Sequence, residues 1–295
     1  MRPQTTAVPE LVLAGALWGF GFIAVVFALE QLSPMAVQAW RFAIALAVGG
    51  LFSLIIRQKF DRKLFFLAAV PGFLLAATLL LQTWGLKYTS ATKSGFITVL
   101  YILIVPILEH RFMKRAIPKY HLIYVIFALV GVALVCGWPR FSDDVEHSAW
   151  NFGDWLTLAC ALMAAIHIVW LGIIGDRIQA PFQFNIYQSF WAGIIPMIIV
   201  LATEPLILPQ GRPLFGILML GLGSTLIGFA LQVRAQKVIS PSMASLLFLL
   251  ESPFATVFAI FILGERLTTQ GAAGALLILL SLGSSIVFTK EAKTL

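Results

Sequence analysis

Charge is what this chain has least of. Asp, Glu, Lys and Arg together make up 11% of its 295 residues, against about 25% in an ordinary soluble domain. Disorder is excluded, because disordered chains combine high charge with low hydrophobicity, whereas 60% of this chain is hydrophobic and its mean hydropathy is +0.96. Cysteine is equally scarce. Cys136 and Cys160 lie inside apolar stretches with no Cys-x-x-Cys or His partner pattern, so neither a disulfide framework nor a zinc site is indicated and both read as small packing residues. No G-x-x-x-x-G-K-[ST] loop is present, which rules out ATP hydrolysis by that route. No H-E-x-x-H helix, nucleophile elbow or metal-ligand cluster occurs either, and the Gly-x-Gly sets at 19–21 and 221–223 fall inside apolar runs rather than after a strand, so they form no dinucleotide site. No cofactor and no metal are expected.

What the chain has in abundance is apolar bulk. Twenty-four Phe, eight Trp and 23 Gly fit a membrane protein, since aromatic rings anchor helices at the lipid interface and Gly is commoner in spanning helices than in soluble ones. The net charge of +7 does not indicate nucleic acid, because the basic residues sit in short loops between apolar runs rather than on one face. Windows of about twenty residues, set against a hydrocarbon core near 30 Å, give ten spans near 10–30, 34–56, 64–86, 91–112, 120–138, 152–174, 182–203, 213–234, 241–263 and 270–289. The first lacks a small-residue cleavage site and is too long for a signal segment, so it is expected to be retained. No lipidation box is seen. The longest connection is the polar segment Trp138 to Asn151, which carries Asp143, Asp144 and Glu146 and divides the chain into halves of five spans. The domains predicted are therefore a first repeat over 10–138, a linker over 139–151 and a second repeat over 152–289.

Basic residues in short loops stay cytoplasmic. With the N-terminus inside, fourteen Lys and Arg fall on the cytoplasmic side and five outside, with Arg41 left within the second span. Both termini are thus predicted inside and the acidic linker outside. Sliding the chain against itself by 150 residues lays LQTWGLKYTSAT (81–92) over LQVRAQKVISPS (231–242), and an offset of 149 to 150 lays FMKRAIPKYH over FILGERLTTQ. Five spans is an odd number, so the second half enters the membrane from the opposite face. The predicted fold is all-α, ten transmembrane helices as two inverted five-helix repeats, the usual architecture of secondary transporters with the substrate near the midplane between halves. The pairs Gln82/Gln232 and Lys87/Lys237 are matched by the offset and are predicted as gating residues at opposite mouths.

Three stretches carry a family resemblance: ALWGFGFIAVVFAL in the first span, AWRFAIAL at the start of the second, and LLFLLESPFATVFAIFILGERLTTQGAAGALLILLSLG near the end. They resemble the EamA family of the drug/metabolite transporter superfamily, most specifically through Leu-Glu-Ser, the following Pro, and Gly-Glu-Arg before the last helix. The resemblance implies a ten-helix carrier that exports, or less often imports, amino acids, nucleotides or other small metabolites. The first repeat departs from the pattern, with Lys114-Arg115-Ala116 where the second has Gly264-Glu265-Arg266.

An ionisable group at bilayer depth needs a partner or a task. Glu251 stands eleventh in the ninth span, near the midplane and just before Pro253, and reads as a carboxylate that binds a substrate amine or carries a coupling proton. Arg41 reads either as a snorkelling side chain or as a contact for a substrate carboxylate. Glu109, beside His110 and Arg111, reads as a cytoplasmic-end residue. His167 lies in mid-span, opposite Trp18 by the repeat offset, and suits hydrogen-bonded packing or proton work. Tyr101 lies over Glu251 at the 150-residue offset, and Trp18, Trp84, Trp170 and Tyr187 are further aromatic candidates for a cavity wall. Ser94, Thr98 and Ser245 are added as polar lining. Pro106 and Pro253 mark helices expected to bend, and Gly15-x-x-x-Gly19, Ala45-x-x-x-Gly49 and Ser281-x-x-x-Ser285 mark close helix contacts.

The functional expectation is a secondary active transporter in a bacterial inner membrane, exporting an amino-acid-like solute, with protons as candidate coupling ion and a monomer or homodimer as its assembly. An uptake carrier for a nucleotide-like cofactor is the same-class alternative. An intramembrane enzyme using Glu251 and His167, and a membrane scaffold, are the alternatives of other classes.

Overall fold

A computed structural model describes residues 4–115, 121–135 and 150–291. The acidic linker with Asp143, Asp144 and Glu146, and Cys136, lie outside the described residues. Helices start where side chains can take over the orphan amides of a first turn. Helix α1 covers Gln4–Leu29. Ser33 caps α2 (Pro34–Ile55) by accepting from the Ala36 N–H at 3.1 Å, with Pro34 in the first turn where its missing N–H costs nothing. Asp61 caps α3 (Arg62–Leu67), which a one-residue break at Ala68 separates from α4 (Ala69–Gly85). Ser90 caps α5 (Ala91–Thr98), followed by α6 (Tyr101–Met113) and α7 (His121–Val135). In the second half, Asn151 and Asp154 form a reciprocal capping box at α8 (Phe152–Ile174). Pro181 opens α9 (Pro181–Thr203). Then come α10 (Arg212–Leu218), a π-helical stretch (Met219–Gly228) and α11 (Phe229–Ala235). Ser240 caps α12 (Pro241–Phe248), which leads to α13 (Glu251–Phe258), a short π stretch (Ala259–Leu263) and α14 (Thr269–Glu291).

Joined across these short breaks, the helices fall on the ten predicted spans. Among the described residues seven stretches are by themselves long and apolar enough to cross a bilayer, and Ala69–Gly85 and Thr269–Ser281 are shorter apolar helices. The distribution of polarity shows which solvent surrounds them. Leu54 is 76% and Phe261 83% exposed, while Arg41 is 1% exposed, an arrangement suited to a surface facing lipid and a polar interior.

The packing obeys the inverted repeat. The third span packs on α8 as the eighth packs on α1. The fourth span packs on α8 as the ninth packs on α1, and the third packs on α9 as the eighth packs on α2. The remaining large contacts, α2 with α9, α7 with α14, and the fourth span with the ninth, map onto themselves. Local geometry repeats too: the fourth span breaks at Val99 and Leu100 and the ninth at Leu249 and Leu250, 150 residues on. The offset also relates Lys114 (φ 55) to Gly264 (φ 71), so the loop where the two sequences diverge most has the same left-handed backbone in both copies.

The small-residue motif in α1 is a contact face. A Cβ at Gly15 would lie 3.5 Å from the Glu251 nitrogen, and one at Gly19 would lie 2.6 Å from the Phe254 Cβ. α1 and α13 therefore meet backbone to backbone, which holds Glu251 close to the first span.

Candidate functional site

The breaks in the fourth and ninth spans create the site. Pro253 has no N–H to offer the Leu249 carbonyl, which accepts from Ser252 at 3.2 Å instead. The tightened turn puts Glu251 at the first position of α13. Tyr101 opens α6 in the same way after a turn that holds the Ile102 N–H to the Val99 carbonyl at 3.0 Å. Pro106 stands inside α6, which continues through it, so the break in the fourth span lies upstream of its proline.

Glu251 and Tyr101 face one cavity of about 60 Å³ that draws on both halves, room for a few water molecules. Glu251 is 6% exposed, and among the described residues no hydrogen bond or ion pair engages its carboxylate. The Tyr101 hydroxyl and the Gln232 Oε1 are likewise buried without a partner among the described residues. Buried polar atoms are nearly always paired, so three groups with unused capacity around one cavity mark it as a place for a polar ligand.

Another part of the lining is built on Arg41. Its guanidinium does not snorkel to the interface. Nε donates to the Thr225 hydroxyl at 3.0 Å and one terminal nitrogen donates to the Ser224 hydroxyl at 2.9 Å, leaving three of its five N–H donors. Both hydroxyls come from the π-helical stretch, whose wider turn departs from the α-helical ladder, a distortion common at functional sites. Nearby carbonyls are secured from outside: Trp18 Nε1 donates to the Ser224 carbonyl at 3.2 Å, and Asn185 Nδ2 donates to those of Thr225 and Leu226, both at 3.0 Å. A Cβ at Gly228 would lie 2.7 Å from Trp18 Nε1, so glycine there lets the indole reach the distorted turn. Trp18 packs against Phe229 and Phe248 with centroids 5.0 and 4.9 Å away, giving the cavity an aromatic side. His167 completes it, its Nε2 3.4 Å from Gln188 Oε1 and its ring edge-on to Phe229.

Glu251, Tyr101, Arg41, Trp18, Thr98 and His167 all line this cavity. Ser94 and Ser245 do not: Ser94 bonds Thr157 at 3.3 Å between helices, and Ser245 donates to the carbonyl of Ser242 at 2.8 Å in its own helix. Gln82 and Gln232 both line this cavity, while Lys87 and Lys237 follow α4 and α11 in the turns beyond. Of the other aromatic candidates, Trp84 is exposed and Tyr187 belongs to a separate cluster with Leu171 and Phe184. Sequence reading passed over Ser224, Thr225, Asn185 and Gln188. One signal was available, since Asn185, Gln188 and Ser189 share a face of an otherwise apolar span at i, i+3 and i+4, and Gln38 and Arg41 repeat that spacing in the second span.

No group of three or more His, Cys, Asp or Glu suited to a metal ion occurs among the described residues. The arrangement holds one carboxylate and one guanidinium, not paired with each other, around a half-aromatic cavity between two halves. It is suited to bind a small solute bearing both charges.

Comparison with known proteins agrees with this architecture. The EamA-like transporter family model matches residues 6–137 and 151–287. An uncharacterized transporter of Archaeoglobus fulgidus is 31% identical over 271 residues, covering 92% of this chain and 82% of its own. The uncharacterized transporter YyaM of Bacillus subtilis is 24% identical over 259 residues, covering 84% and 83%. A solved crystal structure, 16% identical, superposes with a TM-score of 0.74 over 98% of this chain and 99% of its own, which shows a shared fold. The chain belongs to the EamA-like transporter family of the drug/metabolite transporter superfamily, and it is a multi-pass membrane transporter.

Proposed function

We propose that the protein is a secondary active transporter that moves a small amino-acid-like solute by alternating access of its two halves, in the export direction. The observation that carries this reading is the presence of Arg41 and Glu251 in the lining of one cavity, each buried and with no ion pair between them. A zwitterion satisfies both: its ammonium meets the Glu251 carboxylate and the Tyr101 hydroxyl, and its carboxylate meets the free N–H donors of Arg41, a geometry guanidinium favours. The Trp18, Phe229 and Phe248 rings offer an apolar surface to the remainder of the solute. The cavity is lined by both inverted halves, and that placement supports alternating access over a fixed pore. Glu251 is also the group placed to carry a coupling proton, since it has no partner to lose.

The charge count supports cytoplasmic termini in a bacterial inner membrane. The turn with Lys87 then faces outward, and a cysteine at Lys87 reacts with an impermeant thiol reagent in intact cells. The transport reading is tested by counterflow of labelled amino acids into proteoliposomes. Exchange of at least one zwitterion, competed by its unlabelled form, is expected. Absence of exchange across all standard amino acids and their simple amines refutes it, and chemical conversion of a solute would favour an intramembrane enzyme.

A further inference from the structure

At each end of the crossed fourth and ninth spans, a carboxylate from one half holds the first turn of a helix from the other. Glu265 of the second half accepts from the backbone N–H groups of Ala91 at 2.9 Å and Thr92 at 3.2 Å, the first two residues of α5. Ser90 takes the next two, its side chain accepting from Lys93 and its carbonyl from Ser94. The orphan amides of Ala91, Thr92 and Lys93 are thereby satisfied, two of them by a residue 174 and 173 positions away, and the Ser94 N–H makes the first bond of the helix ladder. The other end mirrors this with different residues. Glu109 of the first half accepts from the Ser242 N–H at 2.9 Å and from the Ser242 hydroxyl, while Pro241 has no N–H to satisfy. Ser240 serves Met243 and Ala244 as Ser90 serves Lys93 and Ser94.

The two carboxylates do not occupy equivalent positions. Glu265 is matched by Arg115, and Arg115 instead ion-pairs at 2.9 Å with Glu109, six residues earlier on α6. The departure of Lys114-Arg115-Ala116 from Gly-Glu-Arg is therefore a relocation: the carboxylate moves back into α6 and the arginine steadies it. Glu109 is only 4% exposed and is no surface residue. About 27 Å of helix, eighteen residues at 1.5 Å each, separates Ala91 from Glu109, and the cavity residues Tyr101 and Glu251 lie between.

We propose that Glu265 and Glu109 are the two gate latches of the transport cycle, each closing one face by gripping the opposite half, so that either face opens only when its own carboxylate lets go. This rests on the alternating-access reading given above. Each latch is a set of charge-assisted hydrogen bonds to the first turn of a helix in the opposite half, strong enough to hold a face and able to release as a unit. On the Glu265 face the buried Lys93–Asp154 pair at 2.6 Å also joins α5 to α8 of the second half, so the movement is that of the Glu265 loop away from the start of α5 and not of the whole second half. The two latches differ in strength. Glu265 holds two backbone amides, whereas Glu109 holds an amide and a hydroxyl and is itself pinned by Arg115. The Glu265 face is the one that opens first in the solute-free protein.

The test is a pair of spin-label distances in the full chain reconstituted in lipid, with Cys136 and Cys160 replaced by Ala: Lys87 to Arg266 across the Glu265 face, and Arg111 to Lys237 across the Glu109 face. Glu265→Gln keeps the size but turns one acceptor into a donor that opposes an N–H. It is expected to raise the long-distance population across Lys87–Arg266 by ~10-fold and leave Arg111–Lys237 unchanged. Glu109→Gln should do the reverse. Ala91→Pro removes one N–H held by Glu265 without altering the carboxylate. Pro suits the first helical position, the extended Ser90 before it accepts a following proline, and the matching residue of α12 is already Pro241. It should act like Glu265→Gln with a smaller population, and it carries the test if the Gln variant does not fold. Distances that stay at wild-type values in Glu265→Gln and Ala91→Pro, or that lengthen equally on both faces, overturn the proposal and leave these carboxylates as static helix caps. No solute is needed for the measurement. Face-specific opening in a protein that exchanges no solute therefore removes the transport reading and keeps the latches, while exchange with unmoved distances does the opposite.

Discussion

The buried Lys93–Asp154 pair is the interaction whose loss can be worked out most fully. Asp154 is fully buried, and its carboxylate accepts from Lys93 Nζ at 2.6 Å, from the Thr89 hydroxyl at 2.7 Å and from the Asn151 N–H at 2.9 Å. In Asp154→Asn the amide keeps one acceptor, but its NH2 must point at either the ammonium and the Asn151 N–H or the Thr89 hydroxyl. The Lys93 charge remains in a site almost closed to solvent, and breaking a buried pair in this way costs about 3–5 kcal/mol. Lys93→Met is milder, about 1.5–3 kcal/mol, because the carboxylate keeps two neutral donors and its favourable place in the first turn of α8. In the double variant no buried charge is left without its partner, so its cost should fall below the sum of the single costs by about 2–3 kcal/mol. Denaturant unfolding of the four proteins in the same detergent closes the cycle. A single Asp154→Asn cost under about 1 kcal/mol, or additivity within about 0.5 kcal/mol, would refute the reasoning and imply that water reaches the pair.

Three further outcomes follow from the site and its packing. Glu251→Gln should lower solute exchange by ~10-fold or more, the worth of a hydrogen bond to a charged group, with little change in thermal stability because no protein donor depends on the carboxylate; lowered stability with wild-type exchange per folded molecule would make Glu251 a structural residue. Arg41→Lys surrenders the planar fork that reaches Ser224 and Thr225 together, and should cost about 2 kcal/mol of stability and weaken binding of solutes bearing a carboxylate more than of their amine analogues, as read by competition in counterflow. Gly19→Ala places a methyl 2.6 Å from the Phe254 Cβ and 2.9 Å from the Ala255 nitrogen and Glu251 carbonyl; backbone cannot swing aside, so a loss of about 1–3 kcal/mol is expected, and a thermal midpoint equal to wild type would show that α1 and α13 do not meet this closely.

Much of this molecule is written in periodicity and composition. Lipid demands long apolar stretches with every backbone group satisfied internally, so hydropathy alone gave the helical class and ten spans close to those observed, and the serines before Ala91 and Pro241 marked two helix starts. The 150-residue offset paired Tyr101 with Glu251 and Ser90 with Ser240, because a duplicated unit keeps its local signals in register. Tertiary structure decided what each polar residue does there. Arg41 sits near enough to a span end to reach water, and only the position of the eighth span, bent into a π-helical turn and glycine-lined against Trp18, gives it two hydroxyls indoors. Glu109 stands beside basic residues in sequence, yet its partner Ser242 is 133 positions away in the other half. Lys93 lies close to the start of a span by sequence and is one member of a buried pair in the structure. Local sequence fixes how a segment meets its solvent, since that depends on neighbours three or four residues away. Which carboxylate meets which helix end depends on how two antiparallel halves cross, and that contact leaves no periodic trace in either strand of sequence.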